Sequence, residues 1–187
     1  MSQRFVSLEN PFAGLHLLQR LKLGDERGYL SRLFCADELT AFGWRKPVAQ
    51  INETQTRDRG TLRGLHFQHP PHGEMKLVTC LQGAVFDVAL DLRVGSETFG
   101  KTYTCRLTAE NGTALLLPEG FAHGFQTLCD DVVMLYVHSA AHSPEHEDGV
   151  DALDPALAIA WPLSVTARST RDLTLPPLAA HAAGISP

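Results

Sequence analysis

The chain has 187 residues, of which 44% are hydrophobic and 20% are charged, and its formal net charge is −5 at pH 7. These proportions are ordinary for a globular domain and argue against disorder, collagen and coiled coil. The negative net charge argues against a nucleic-acid binder held by bulk positive charge, although it is compatible with a local basic pocket for a small anion.

The predicted elements are one short helix followed by several short strands. The helix is predicted over residues 36–42. Strands are predicted over 84–92 and 101–107, where the hydrophobic period is two, and over 113–117 and 131–137, which are apolar runs of strand length. Glycines separate these segments. Strands at such short spacing are typical of an all-β sandwich or barrel.

Alternation within these strands separates two faces. In residues 84–92, Asp87 and Asp91 share a face, opposite the more apolar one. We expect Asp91 to be exposed and leave Asp87 open between a pocket and an exposed face. In residues 131–137, Tyr136 is on the same face as the apolar side chains of residues 132 and 134.

The ends of the chain and its cysteines indicate the compartment. We treat residues 1–187 as one domain, with an N-terminal arm over 1–34 and a C-terminal extension over 163–187 that is either a packed arm or a loose tail. No apolar run approaches the roughly 20 residues that span a bilayer, and the first residues lack a secretory signal pattern. The four cysteines form no C-x-x-C pair. We interpret them as free thiols and predict a cytoplasmic protein.

Residues 112–127, G-T-A-L-L-L-P-E-G-F-A-H-G-F-Q-T, carry the most informative motif. They resemble the second motif of the cupins, G-x5-P-x-G-x2-H-x3-N, with Thr127 at the final position. The pattern describes a strand, a tight Pro–Gly turn and a return strand that carries His123. The resemblance implies a double-stranded β-helix, which is a small jelly-roll barrel.

The first cupin motif, which usually supplies metal ligands, is altered in residues 63–83. His66 keeps the first histidine, but Gln68 replaces the second, and Lys76 stands where the carboxylate ligand would be. An ammonium group repels a cation, and two histidines are too few to hold a metal ion well. We therefore predict neither a metal site nor another cofactor.

Further motifs run from about residue 25 to 172 and include D-E-R-G-Y (25–29), L-R-G-L-H-F-Q (62–68), K-L-V (76–78) and P-E-G-F-A-H-G-F (118–125). In this order they closely resemble the dTDP-4-dehydrorhamnose 3,5-epimerase family of metal-free cupins. The resemblance implies epimerisation at C3 and/or C5 of a nucleotide-linked 4-keto-6-deoxyhexose. In this chemistry a base removes a proton beside the ketone, and an acid returns one to the opposite face of the enolate.

The resemblance also implies roles for individual residues. His66 would be the base, Asp172 the carboxylate that pairs with it, Tyr136 the acid, and Lys76 the group that stabilises the enolate oxygen. A second set would bind the substrate: Arg27, Arg32, Gln50, Asn52, Arg63, His123, Glu147 and Arg171. In the family the segment around Arg27 reaches the pocket of the neighbouring subunit. A homodimer is therefore implied, with the N-terminal arm contributing to it.

Two features depart from the simple pattern. Strict alternation places Arg63 and His66 on opposite faces, although the resemblance sends both into the pocket, and a twist or bulge at Gly64 would reconcile them. Ala141 and His142 stand where the family has two adjacent aromatic residues, one of which lies near the nucleotide base. The nucleoside and the number of carbons epimerised therefore stay open.

Three other functions are considered for the same residues. A nucleotide-ketosugar 3,4-ketoisomerase would use similar base chemistry, but the 62–68 and 118–125 segments fit the epimerases better. A non-catalytic sugar-nucleotide-binding cupin would need a damaged acid–base set. A metal-dependent cupin oxygenase would need a stoichiometric transition metal.

Overall fold

The computed structural model describes residues 3–186, and most of its regular elements are β-strands. The strands are β1 (Phe5–Phe12), β2 (Leu15–Arg20), β3 (Lys22–Asp25), β4 (Gly28–Ser31), β5 (Gln50–Thr56), β6 (Leu62–Gln68), β7 (Lys76–Gln82), β8 (Ala84–Asp91), β9 (Thr102–Thr108), β10 (Thr113–Leu117), β11 (Phe121–Thr127), β12 (Val132–His138) and β13 (Glu147–Gly149). The helical elements are α1 (Ala36–Leu39) and 3-10 turns at Thr40–Phe42, Pro155–Leu157, Asp172–Thr174 and Leu178–His181. Over the described range, no helix is long and apolar enough to cross a membrane.

The strands form two antiparallel sheets. The first sheet has the order β1-β2-β10-β7-β12-β5, the second has the order β13-β6-β11-β8-β9, and β3 and β4 form a separate hairpin. Neighbours in both sheets are mostly distant in sequence because the chain passes between the sheets. This is the cupin-type jelly roll that the 112–127 motif predicts, and the all-β prediction is confirmed.

The alternation of side chains decides where the core lies. Val85 and Ala89 of β8 join side chains from both sheets in the cluster inside the barrel. Val88 and Leu90, on the opposite face of the same strand, pack in a second cluster with residues of the C-terminal region. A third cluster places Trp44 beside residues of the first sheet. The predicted period of two is therefore observed in β8, with both of its faces covered.

The expectation that Asp91 is exposed is wrong. Its side chain is fully buried and accepts hydrogen bonds from the Arg93 guanidinium at 2.6 Å, Ser96 Oγ at 2.7 Å and Thr98 Oγ1 at 2.6 Å. Burial by itself raises the pKa of this carboxyl, but these bonds, led by the one from Arg93, lower it to about 2. The loop after β8 folds over the carboxylate, and alternation along the strand contains no information about that loop.

A β-bulge lies at Gly64, and it is one of the two irregularities that would reconcile strict alternation in β6 with the family resemblance. His123 of β11 pairs with His66 of β6, whereas Phe125 pairs with Arg63, so β6 contains one extra residue at this point. Gly64 has φ +110°, and a Cβ atom there would lie 2.6 Å from Gly124 Cα. Because of the bulge, Arg63 and His66 both line the same cavity.

The C-terminal region packs along the barrel. Ala167 forms a bridge with Thr61, and Ile185 forms one with Arg93. Between these two points the 3-10 turn that starts at Asp172 brings its carboxylate to the backbone of Gly64, with Oδ2 3.1 Å from the amide nitrogen. Of the two alternatives for this extension, the packed arm is the one observed up to residue 186.

Candidate functional site

A cavity of about 700 Å³ lies between the two sheets. Side chains of β5, β7 and β12 line the cavity from the first sheet, and side chains of β6 and β11 line it from the second sheet. Residues of the C-terminal arm between 167 and 172 complete the lining. The structure brings ten of the twelve predicted site residues to this cavity: His66, Tyr136, Asp172, Lys76, Gln50, Asn52, Arg63, His123, Glu147 and Arg171.

His66 and Asp172 form the first imidazole–carboxylate pair at the cavity. His66 Nε2 lies 2.7 Å from Asp172 Oδ1, and the carboxylate is almost completely buried while the imidazole is partly open to the cavity. Burial raises the pKa of Asp172, but the hydrogen bond and charge of His66 and the amide of Gly64 outweigh it and lower the pKa. An ionised carboxylate only accepts hydrogen bonds, so His66 Nε2 carries the hydrogen. The lone pair of neutral His66 is therefore on Nδ1.

A second imidazole–carboxylate pair lies beside the first. His123 Nε2 is 3.0 Å from both carboxylate oxygens of Asp87, and both side chains are buried. Burial raises the pKa of Asp87, and the charge and hydrogen bond of His123 offset only part of that effect. Because His123 is the direct cross-strand partner of His66, the two rings are neighbours on the second sheet. Asp87, which the alternation leaves open, is thus a buried partner of a cavity residue.

Tyr136 approaches the cavity from the other sheet. It packs beside the interior residues Val132 and Met134, as the alternation of β12 predicts. Its ring centroid is 6.0 Å from that of His123, in an edge-on arrangement. Burial, the largest effect on this group, raises its pKa, so the phenol keeps its proton at neutral pH. Tyr136 thus presents a protonated phenol to the cavity from the sheet opposite the one that carries His66.

Lys76 is held at the cavity by a carboxylate. Its Nζ lies 2.9 Å from Glu74 Oε1 and 3.3 Å from the His66 carbonyl oxygen. The other Glu74 oxygen, Oε2, lies 2.7 Å from His138 Nδ1. Burial raises the pKa of Glu74, but the charge of Lys76 and the contact with His138 lower it overall. Glu74 is therefore an anion between two nitrogen groups that line the cavity.

A polar network links several of the predicted binding residues. Glu147 Oε2 lies 2.6 Å from the Arg171 guanidinium and 2.9 Å from His142 Nε2. The backbone N–H of His142 donates to Gln50 Oε1, and the Gln50 side-chain amide donates to Asn52 Oδ1. The imidazole of His142 belongs to this network through its contact with Glu147.

Three arginines of the predicted binding set have different surroundings. Arg63 lines the cavity and donates from Nε to Thr56 Oγ1 at 2.9 Å. Arg27, on the exposed β3–β4 hairpin, pairs with Asp25, and Arg32 pairs with Glu38. Among the described residues, the set that lines the cavity does not include Arg27 or Arg32. Their contact with substrate stays a prediction that requires a second subunit.

The histidines and carboxylates of the cavity pair with each other in the described structure. Within residues 3–186, no group of three or more His, Cys, Asp or Glu side chains is placed to hold a metal ion. His66 and His123 each turn Nε2 towards a carboxylate instead. The cavity thus combines a carboxylate-bound imidazole on one wall with a protonated phenol and an ammonium group on the other wall. Such a set is able to move protons at a carbon beside a carbonyl.

The residues that the structure adds to the predicted set include the cavity residues Glu74, His138 and Arg168, and Asp87 as the partner of His123. His138 follows Tyr136 by two positions, so extending the predicted strand by one residue would have placed it on the same face. Glu74 lies just before β7, outside the predicted strands, so hydrophobic alternation could not assign it to the cavity face. Arg168 donates to the backbone oxygen of Asp172 at 2.6 Å, a contact that only the folded arm creates.

The comparisons with known proteins agree on one family. The sequence profile described as dTDP-4-dehydrorhamnose 3,5-epimerase matches residues 9–180. A dTDP-4-dehydrorhamnose 3,5-epimerase from Sinorhizobium fredii is 44% identical over 172 residues, which are 89% of this chain and 86% of the relative. A dTDP-4-dehydrorhamnose 3-epimerase from Streptomyces niveus is 42% identical over 149 residues, or 79% of this chain and 72% of the relative.

Solved structures give the same result for the fold. The crystal structure of dTDP-4-dehydrorhamnose 3,5-epimerase from Bacillus anthracis, with TDP and PPi bound, superposes with a TM-score of 0.90 at 36% sequence identity. The superposition covers 92% of this chain and 99% of that one. The similarity in sequence and in structure therefore extends over nearly the whole chain.

Proposed function

The chain belongs to the dTDP-4-dehydrorhamnose 3,5-epimerase family, and we propose that it epimerises a dTDP-linked 4-keto-6-deoxyhexose at one or both of the carbons beside the ketone. The observation that carries this proposal is the geometry of the cavity. A carboxylate-bound imidazole on the second sheet and a protonated phenol on the first sheet line one space. Inversion of a carbon requires such a base and such an acid on opposite faces of the sugar.

The first step is removal of a proton from C3 or C5. His66 accepts this proton on Nδ1, and the C–H electron pair moves to the ketone, which becomes an enolate. The negative charge of Asp172 stabilises the imidazolium that forms and keeps the ring oriented. Lys76, buried beside the cavity and fixed by Glu74, stabilises the negative charge on the enolate oxygen.

The second step returns a proton to the opposite face of the carbon. Tyr136 donates its phenolic proton, and the enolate returns to the ketone with inverted configuration. Because its pKa is raised, Tyr136 is protonated at neutral pH and has a proton to donate. His66 then gives up its proton and Tyr136 regains one, so the enzyme returns to its starting state.

The substrate is held by the polar and basic residues around this pair. Arg63 and Arg171 supply guanidinium groups suited to a diphosphate, and Gln50, Asn52 and Glu147 complete the lining with His123. The protein acts as a homodimer in this proposal, with Arg27 and Arg32 reaching the partner's cavity. The exposed apolar side chains of Leu23, Tyr29 and Leu30 on the β3–β4 hairpin support such a contact.

A cytoplasmic location completes the proposal. The four cysteines are free thiols, and Cys80 is buried in the barrel interior. Free thiols of this kind are maintained in a reducing compartment.

The proposal is tested by incubating the protein with dTDP-4-dehydro-6-deoxyglucose in deuterated water. We expect deuterium to enter at C3, C5 or both, and NMR identifies which carbons exchange. His66→Ala should abolish the exchange, because it removes the imidazole that is paired with Asp172 and that accepts the substrate proton in this mechanism. Wild-type protein that neither incorporates deuterium nor changes the configuration of the sugar would refute the epimerase function.

A further inference from the structure

Glu74 and His138 form a buried pair that the mechanism above does not use directly. The side chain of His138 is 12% exposed and that of Glu74 is 8% exposed. Both line the cavity, and their contact of 2.7 Å joins Glu74 Oε2 to His138 Nδ1. A carboxylate and an imidazole of this kind are costly to bury unless they are paired, so the pair fixes the direction of the ring.

The pairing determines what His138 presents to the cavity. Glu74 is ionised and accepts a hydrogen bond, so Nδ1 of His138 carries a hydrogen. Nε2 makes no hydrogen bond with any residue in the range 3–186, and it is the nitrogen left for a ligand. It offers a lone pair when the ring is neutral and an N–H when the ring is protonated. A hydroxyl group can pair with either form, because it both donates and accepts.

The register of the sheet places His138 among the predicted substrate contacts. Across the first sheet, His138 of β12 pairs with Gln50 of β5 on one side and with Lys76 of β7 on the other. Direct cross-strand partners point to the same face of a sheet, and all three line the cavity. The His138 ring also lies parallel to that of Tyr136, with 6.0 Å between centroids. His138 is thus between the proposed acid, the proposed enolate-stabilising lysine and a polar residue of the lining.

From this placement we propose that His138 is a substrate-binding residue whose Nε2 contacts a hydroxyl of the hexose next to the ketone oxygen at Lys76. Glu74 is the positioning residue for both groups, since its two oxygens hold Lys76 and His138 at once. The inference rests on the proposed function, because it requires a hexose in this part of the cavity. The contact concerns the sugar and not the nucleotide.

The test compares two ligands on the same protein. dTDP-quinovose has a hydroxyl in place of the C4 ketone and cannot enolise, so its affinity reports binding alone, and dTDP lacks the hexose. His138→Asn retains a side-chain amide near Nδ1 and removes the atom at Nε2, whereas His138→Gln places an amide close to Nε2. His16→Asn is the matched control, because His16 packs against Phe42 rather than in the cavity.

We expect His138→Asn to weaken binding of dTDP-quinovose roughly tenfold, the effect of one lost hydrogen bond, and to leave binding of dTDP unchanged in calorimetry. His138→Gln should recover part of the loss, and His16→Asn should change neither affinity. Equal losses for both ligands, or no loss for either, would overturn the role of His138. A wild-type protein that binds neither ligand would overturn the proposed function itself.

Discussion

The replacement Asp172→Asn tests the imidazole–carboxylate pair most directly. The wild-type carboxylate accepts hydrogen bonds from His66 Nε2 at 2.7 Å and from the amide of Gly64 at 3.1 Å. An Asn side chain has nearly the same shape, but it cannot carry the negative charge that stabilises an imidazolium. If its amide group donates to Nε2, the hydrogen of the neutral ring moves to Nδ1, the atom that must accept the substrate proton.

The magnitude follows from these two effects. Loss of one charge-assisted hydrogen bond to a buried carboxylate costs about 2 kcal/mol, which is roughly a 30-fold change in rate. The inverted tautomer adds a further loss, so we expect kcat to fall by a factor of at least about 100. The affinity for dTDP should not change, because the replacement preserves the volume of the side chain.

The assay is single-turnover exchange of the C3 and C5 protons in deuterated water, followed by NMR. Asp148→Asn is the matched control, since Asp148 forms a similar pair with His69, at 3.0 Å, that does not line the cavity. It should leave the exchange rate unchanged. If Asp172→Asn exchanged protons at the wild-type rate, Asp172 would have no part in activating His66.

Two further predictions concern the proposed acid and the buried carboxylate of the loop after β8. Tyr136→Phe should permit deuterium exchange at the substrate carbon but reduce inverted product at least about tenfold, measured by NMR; unchanged inversion would remove Tyr136 from the role of acid. Asp91 has a folded pKa of about 2, below its ordinary 3.8, so its stabilising effect is complete above pH 3.8 and is lost as the pH falls towards 2. The difference in unfolding free energy between wild type and Asp91→Asn should therefore shrink by about 1 kcal/mol from pH 7 to pH 3 in urea titrations, and a constant difference would contradict this.

Local patterns in the sequence predict four of the strands, β8, β9, β10 and β12, together with the turn and return strand of the second cupin motif. Alternation correctly puts Tyr136 on one face with Val132 and Met134, because side chains alternate between the faces of a strand. The structure shows that this face is the one inside the barrel. Alternation alone places Arg63 and His66 on opposite faces of their strand, and only the structure shows that a bulge at Gly64 brings both to one cavity. The family resemblance supplies the distant partner Asp172, which periodicity could not have found.

Tertiary structure alone decides which groups meet across the barrel. Asp87 joins His123, and Glu74 joins both Lys76 and His138, through contacts between segments whose order in the chain does not predict their distance. The sequence shows that a residue carries a carboxylate, but it does not show whether the folded chain exposes or buries that group. Its pKa and its partners are therefore determined only when the two sheets, the connecting loops and the C-terminal arm close around it.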